Sequence, residues 1–256
     1  MKTTINKKIT SAIISISLLF SLTTPVHASP VLSEDEFLLS IGVPQSVIEQ
    51  MPEKQKELIY TTADKNARYE SYKKEEFIEE NQQNSNLQPR LTELPAAEMT
   101  ISVISFKEER DTGTYYAIYP SFVWHGLSKI QNDSFGMALY PNWEVIPQQN
   151  NLEVWNRNSN GDLLHHTSIS ATDANSAGYA YQIPSTVGSL QGYYEGHAYL
   201  HAIKKSDDAT HAISLKYVDD TSWLSNISYG LSIGFMSISV SNGDDRLRVR
   251  AANHYF

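Results

Sequence analysis

Cysteine is absent from the 256 residues. That excludes disulfides, thiolate catalysis and every zinc or iron–sulfur site built on cysteine. Basic residues are scarce: 20 Lys and Arg stand against 29 Asp and Glu, a formal charge of −9. Without a dense basic patch the chain has nothing to displace counterions from a phosphate backbone, which excludes a nucleic-acid binder. Long hydrophobic runs are missing too. The longest, residues 12–22, falls short of the roughly 20 apolar residues a membrane-spanning helix needs.

That short run carries the marks of an export signal. Lys2, Lys7 and Lys8 precede it, Pro25 breaks it, and Val26-His27-Ala28 stands before Ser29 in a near A-x-A pattern. The expectation is a signal peptide over residues 1–28 and a secreted, extracellular or cell-surface product. Loss of three lysines takes the charge from −9 to −12. An exported acidic chain without cysteine fits Gram-positive bacterial secretion.

Residues 29–80 read as an acidic helical region. Ser33 and Glu36 fit a capping box, Gly42 a helix stop, and Pro44 and Pro52 two restarts. The segment from Tyr69 to Glu80 alternates Lys and Glu with Tyr69 and Tyr72 on one side, and is read as a last helix. This region is either a small cap with a solvated face or a detachable pro-segment or partner-binding hairpin. Residues 81–98, rich in Asn and Gln with Pro89 and Pro95, read as a polar linker.

From residue 99 the hydrophobic period changes from 3.6 to 2, with Tyr, Ile, Val and Thr between turn clusters. The fold class is therefore α+β overall: a short N-terminal helical region followed by an all-β antiparallel sandwich over residues 99–256. Leu190-Gln191-Gly192-Tyr193-Tyr194 resembles the tyrosine corner of immunoglobulin-like and fibronectin-type sandwiches. The resemblance covers five residues and implies an immunoglobulin-like architecture, with the Tyr194 hydroxyl bonded back to backbone and Gly196 where an antibody domain carries its second Cys.

Several groups bear on chemistry. Gly230-Leu231-Ser232-Ile233-Gly234 matches G-x-S-x-G, with Asp244, Asp245 and His254 following in the order of a serine hydrolase. The alternation of Ile227, Tyr229, Leu231 and Ile233 argues for one strand through the motif and against a nucleophile elbow. His197 and His201 on a strand would stand too far apart to share an ion. Asp207-Asp208 and Asp244-Asp245 would share one end of an up-and-down sandwich and are the candidates for calcium, the one cofactor considered; Asp219-Asp220 would lie at the other end. Tyr140 and Trp143, on or beside a turn, are the candidates for stacking on a sugar face.

Serines decorate the alternating stretch 227–240, whose phase slips between Phe235 and Met236, as at a β-bulge. Ser-rich amphipathic strands also occur in pore-forming proteins. The following Arg246, Arg248 and Arg250 suit a lumen or, more simply, a solvated sheet face. The leading expectation is a non-enzymatic binding protein for extracellular glycan, cell wall or protein. A membrane-active or toxin-like β protein with a helical pro-segment and a hydrolase using Ser232 are the alternatives.

Overall fold

The capping box forms in the computed structural model, which describes residues 32–75, 92–93, 99–125, 132–146, 150–184, 193–220, 226–232, 235–241 and 247–256. The Ser33 amide donates to Glu36 Oε2 at 2.8 Å, and the Glu36 amide donates to Ser33 Oγ at 3.3 Å. They start α1 (Glu34–Ser40), which Gly42 ends with φ +94°, a backbone shape that favours glycine. Pro44 and Pro52 are the N-caps of α2 (Gln45–Ile48) and α3 (Glu53–Thr62).

These helices are too short to persist alone. They bury Phe37, Leu38, Ile48 and Ile59 in one apolar cluster with Ile104, Phe106, Ala117 and Tyr119 of the sheet beneath. Gln55 Nε2 donates to the Tyr119 carbonyl at 2.8 Å, and Thr62 Oγ1 lies 3.1 Å from the Tyr119 hydroxyl. The helical region therefore packs as a layer on the first sheet. Residues 32–256 form one compact unit.

The expected last helix is a strand. β1 (Arg68–Glu75) pairs antiparallel with β3 (Met99–Arg110), with a register shift between Tyr69 and Ser71. Alternating Lys and Glu suits a helix surface or a charged sheet edge equally. The free edge of β3 decides between them by offering a full ladder of hydrogen bonds.

The first sheet runs β1-β3-β4-β11-β7-β8, adding β4 (Gly113–Trp124), β7 (Asn151–Arg157), β8 (Leu163–Ser170) and β11 (Tyr193–His197). β12 (Leu200–Lys204) also pairs with β4 and carries β6 (Trp143–Val145). The second sheet runs β2-β16-β13-β5-β10-β9: β2 (Thr92–Glu93), β5 (Asn132–Leu139), β9 (Asp173–Asn175), β10 (Gly178–Pro184), β13 (Ala212–Asp220) and β16 (Leu247–Tyr255). The two sheets stack as an open sandwich. Between them lie Ile101, Val103, Phe122, Trp124 and Tyr194 of the first and Phe135, Met137, Tyr181, Leu215 and Tyr217 of the second. Aromatic contacts bridge the layers: Phe122–Tyr217 at 4.7 Å and Trp124–Tyr217 at 5.7 Å between ring centroids. They supply the cohesion that a disulfide would otherwise give.

The expected solvated arginine face is corrected at Arg250, which is 1% exposed. It stands opposite Tyr217, on the side of β16 that turns Ala252 and His254 into the sandwich.

Candidate functional site

β14 (Asn226–Ser232) and β15 (Phe235–Ser241) form a two-stranded sheet of their own. Ser232 stands opposite Phe235, so the phase slip read as a bulge is a chain reversal. The register sorts the hairpin sharply. One face takes the pairs Ile227–Val240, Tyr229–Ile238 and Leu231–Met236. The other takes Asn226–Ser241, Ser228–Ser239, Gly230–Ser237 and Ser232–Phe235. No Asp, Glu, Lys, Arg or His occurs from residue 221 to residue 243.

The hairpin lies against β5, β9, β10 and β13 of the second sheet. Five of the positions on β5 and β10 that point away from the sandwich core are small: Ser134, Gly136 and Ala138 on β5, Gly178 and Ala180 on β10. All five are buried although they face outward. Small side chains make a flat, shallow seat that gives little contact area per residue. Lys216 shares this outward side, opposite Gly136, and burial pushes its pKa down.

His254, the base expected for Ser232, has a side-chain partner in Ser71. Ser232 sits in an antiparallel hairpin, where an elbow needs strand, turn and helix. His254 is 3% exposed, and its Nε2 lies 2.7 Å from Ser71 Oγ. Burial, with Lys73 nearby, lowers its pKa to about 4. Asp244 and Asp245 lie outside the described residues.

Trp143 is 4% exposed, and its indole Nε1 donates to the Thr210 carbonyl at 2.8 Å. Tyr116 packs edge-on against it at 4.9 Å. This corrects the expectation of an exposed stacking platform: the turn is pinned into the core by its own tryptophan. Tyr140 stays half-buried, its ring 6.3 Å from that of the exposed Tyr255.

Asp207 and Asp208 precede β13; Asp244 and Asp245, the pair expected at the same end, lie outside the described residues. Asp208 Oδ1 accepts from Ser206 and, at 3.4 Å, from Asn142. Among the described residues no group of three or more His, Asp or Glu gathers to hold a metal.

Sequence reasoning missed the polar half of the first sheet's outer face. Glu108 is fully buried beside Arg110 and His201, with the Asp64 amide donating at 3.2 Å. Burial alone would raise its pKa; His201, Arg110 and that amide together hold it below the ordinary value. Arg157 Nε donates to Glu195 Oε1 at 2.8 Å, and His197 Nε2 lies 3.4 Å from Glu195 Oε2. Glu195 is likewise held low against burial by His197 and Arg157. A cleft of about 630 Å3 opens over this pair, walled by residues 50–53 at the start of α3. Only the register, which sets Glu195 opposite both Trp155 and Val123, assembles these groups from three strands.

No family model matches the chain, and no curated protein matches it in sequence. Among solved structures, one titled "Pore forming protein" is similar over 73% of this chain and 90% of its own, at 7% identity and a TM-score of 0.33. The enzymatically active domain of Bacteriophage CBA120 tailspike protein 4 is similar over 46% of this chain and 21% of its own, at 10% identity and a TM-score of 0.24. The C-terminal domain of the Streptococcus pyogenes antigen I/II-family protein AspA is similar over 68% of this chain and 44% of its own, at 6% identity and a TM-score of 0.30. These values carry no functional inference. No described helix is long and apolar enough to cross a membrane, which says nothing of crossing by strands.

Proposed function

We propose that this is a secreted membrane-active protein whose β14–β15 hairpin leaves its seat on the second sheet and enters a lipid bilayer. The observation that carries the reading is the register, which puts six large apolar residues on one face and small or polar residues on seven of the eight positions of the other. A strand with one face to lipid and one to water needs that pattern. A transmembrane strand takes about 9–11 residues. The uncharged stretch from 221 to 243, with the reversal near its middle, is long enough for two.

Six large apolar side chains contribute roughly 1.5–3 kcal/mol each when fully transferred from water. A lone hairpin would leave both its edges without hydrogen-bond partners in hydrocarbon. Insertion therefore requires several copies closing into a barrel, with the serines toward the lumen. The shallow seat of Gly and Ala, and Lys216 held within it, weaken the stowed state. The helices lie on the first sheet, opposite the hairpin, so a role as its covering pro-segment finds no support.

The absence of cysteine makes the test direct. Met236→Cys, Ser237→Cys, Ile238→Cys, Ser239→Cys and Val240→Cys are each labelled with a polarity-sensitive dye. They are then mixed with phosphatidylcholine vesicles, with or without phosphatidylglycerol. The expected result is release of an entrapped fluorophore and a blue shift at 236, 238 and 240 but not at 237 and 239. No release from either vesicle, or shifts without that alternation, overturns the reading.

A further inference from the structure

We infer that the cleft over Arg157 and Glu195 is a binding site for a neutral carbohydrate, independent of the hairpin. Its volume, about 630 Å3, falls within the roughly 300–1,000 Å3 of small-molecule sites. The formal charges that line it cancel: Lys74 and Arg157 face Glu53 and Glu195. A strongly anionic or cationic ligand would meet as much repulsion as attraction there. A neutral molecule rich in hydroxyls can accept from the cations and donate to the carboxylates.

The polar groups are held in place before any ligand arrives. Glu195 is 5% exposed, and Arg157 is fixed twice, by Glu195 at 2.8 Å and by donation from Nη1 to the Gly161 carbonyl at 3.0 Å. His197, fully buried behind Glu195, sets the carboxylate from the other side at 3.4 Å. A buried ion pair of this kind is a poor source of stability, because desolvation offsets its attraction. As a rigid donor and acceptor pair at the floor of a cleft it is well suited to orient hydroxyl groups. Tyr193, half-buried in the lining, adds a flat aromatic surface with a polar tip, and Thr100 adds a further hydroxyl. A pyranose ring, apolar on its C–H face and polar around its rim, matches that set.

Titration calorimetry of the full mature chain with cellotriose, maltotriose and N-acetylated chitotriose tests the site. Saturable binding of at least one is expected. Tyr193→Ala and Lys74→Ala are each expected to weaken it at least tenfold while leaving the melting temperature within 2 °C. Glu195→Gln, which keeps the shape, should weaken it equally. Tyr140→Ala, on the other aromatic pair, should leave it unchanged. Binding of none of the three sugars, or affinity that survives both Tyr193→Ala and Glu195→Gln, overturns the assignment. Vesicle leakage on sugar-free lipid should be the same in Tyr193→Ala as in the parent, which separates this site from the hairpin.

Discussion

His254 of the last strand and Ser71 of the first are joined side chain to side chain, Nε2 to Oγ at 2.7 Å. Ser71 Oγ also lies 2.7 Å from Ser105 Oγ, and Lys73 Nζ donates to the Asn253 carbonyl at 3.0 Å. Together these contacts close the two sheets at one edge with polar groups. The partner that sequence order offered His254 was Ser232; the partner it has belongs to a segment read as helix.

This junction predicts a pH dependence. The folded His254 has a pKa lowered from 6.5 to about 4, so the unfolded chain takes up the proton first as pH falls. Stability should hold above about pH 6.5 and fall progressively down to about pH 4. The loss should be on the order of 2–3 kcal/mol. Glu108 and Glu195, with lowered pKa values, add their own losses only below about 4.5. Denaturant melts between pH 7 and 4 check this. His254→Phe, which retains a ring beside Phe256, should flatten the slope over that window.

Gly196 stands opposite Phe122, and a Cβ there would lie 2.2 Å from the ring. Phe122 is itself held between Phe135 and Tyr217, so it has nowhere to retreat. Gly196→Ala should destabilise by about 1–3 kcal/mol, the usual cost of overpacking. A lowered urea midpoint with an unchanged slope is the expected signature.

Lys216 gives a prediction of opposite sign. Burial disfavours its charge on the side of the sheet that seats the hairpin. Lys216→Met keeps the length and removes the charge, so it should raise the melting temperature by a few degrees. If the hairpin must leave that seat to act, the same substitution should slow vesicle leakage. Faster leakage from a more stable variant would contradict the link.

Removal of residues 29–98 should not release an intact sandwich. It strips the helices from Ile104, Phe106 and Tyr119 and leaves β3 without its β1 partner. The expected product has lost near-ultraviolet circular dichroism and binds a hydrophobic dye. A cooperatively folding truncated chain would disprove this account of the helical layer.

Trp143→Ala should cost about 3–5 kcal/mol, as large core truncations do. Its ring fills a pocket between Tyr116 and Phe256 and its N–H satisfies a carbonyl. A variant with parental stability would show the ring to be dispensable to the core.

Local signals were legible in the sequence where local physics decides. The capping box at Ser33 and Glu36, the stop at Gly42 and most period-2 strands after residue 99 depend on neighbours in the chain, and these formed as read; the stretches 193–203 and 227–240, each read as one strand, are two. The sandwich class followed from the same periodicity. The Lys- and Glu-rich segment from Tyr69 to Glu80 is ambiguous, because both a helix and an edge strand solvate such residues. Trp143 could be placed on a turn but not inside or outside, since its pocket is built from Tyr116 and Phe256. Arg157 and Glu195 carried no motif. They are 38 residues apart and meet only because β7 and β11 are neighbours.

The sequence by itself determined that this protein has no cysteine chemistry, and that it has short helices and many antiparallel strands. It also determined that residues 221–243 carry no charge. Tertiary structure alone decided that this stretch folds back on itself, because register depends on which strands pair. A one-residue change of phase inside a single strand is a flaw; at a chain reversal it puts Leu231 and Met236 on the same face. The same pairing sets small residues beneath the hairpin and brings Arg157 and Glu195 together beside the start of α3, on the other face of the sandwich.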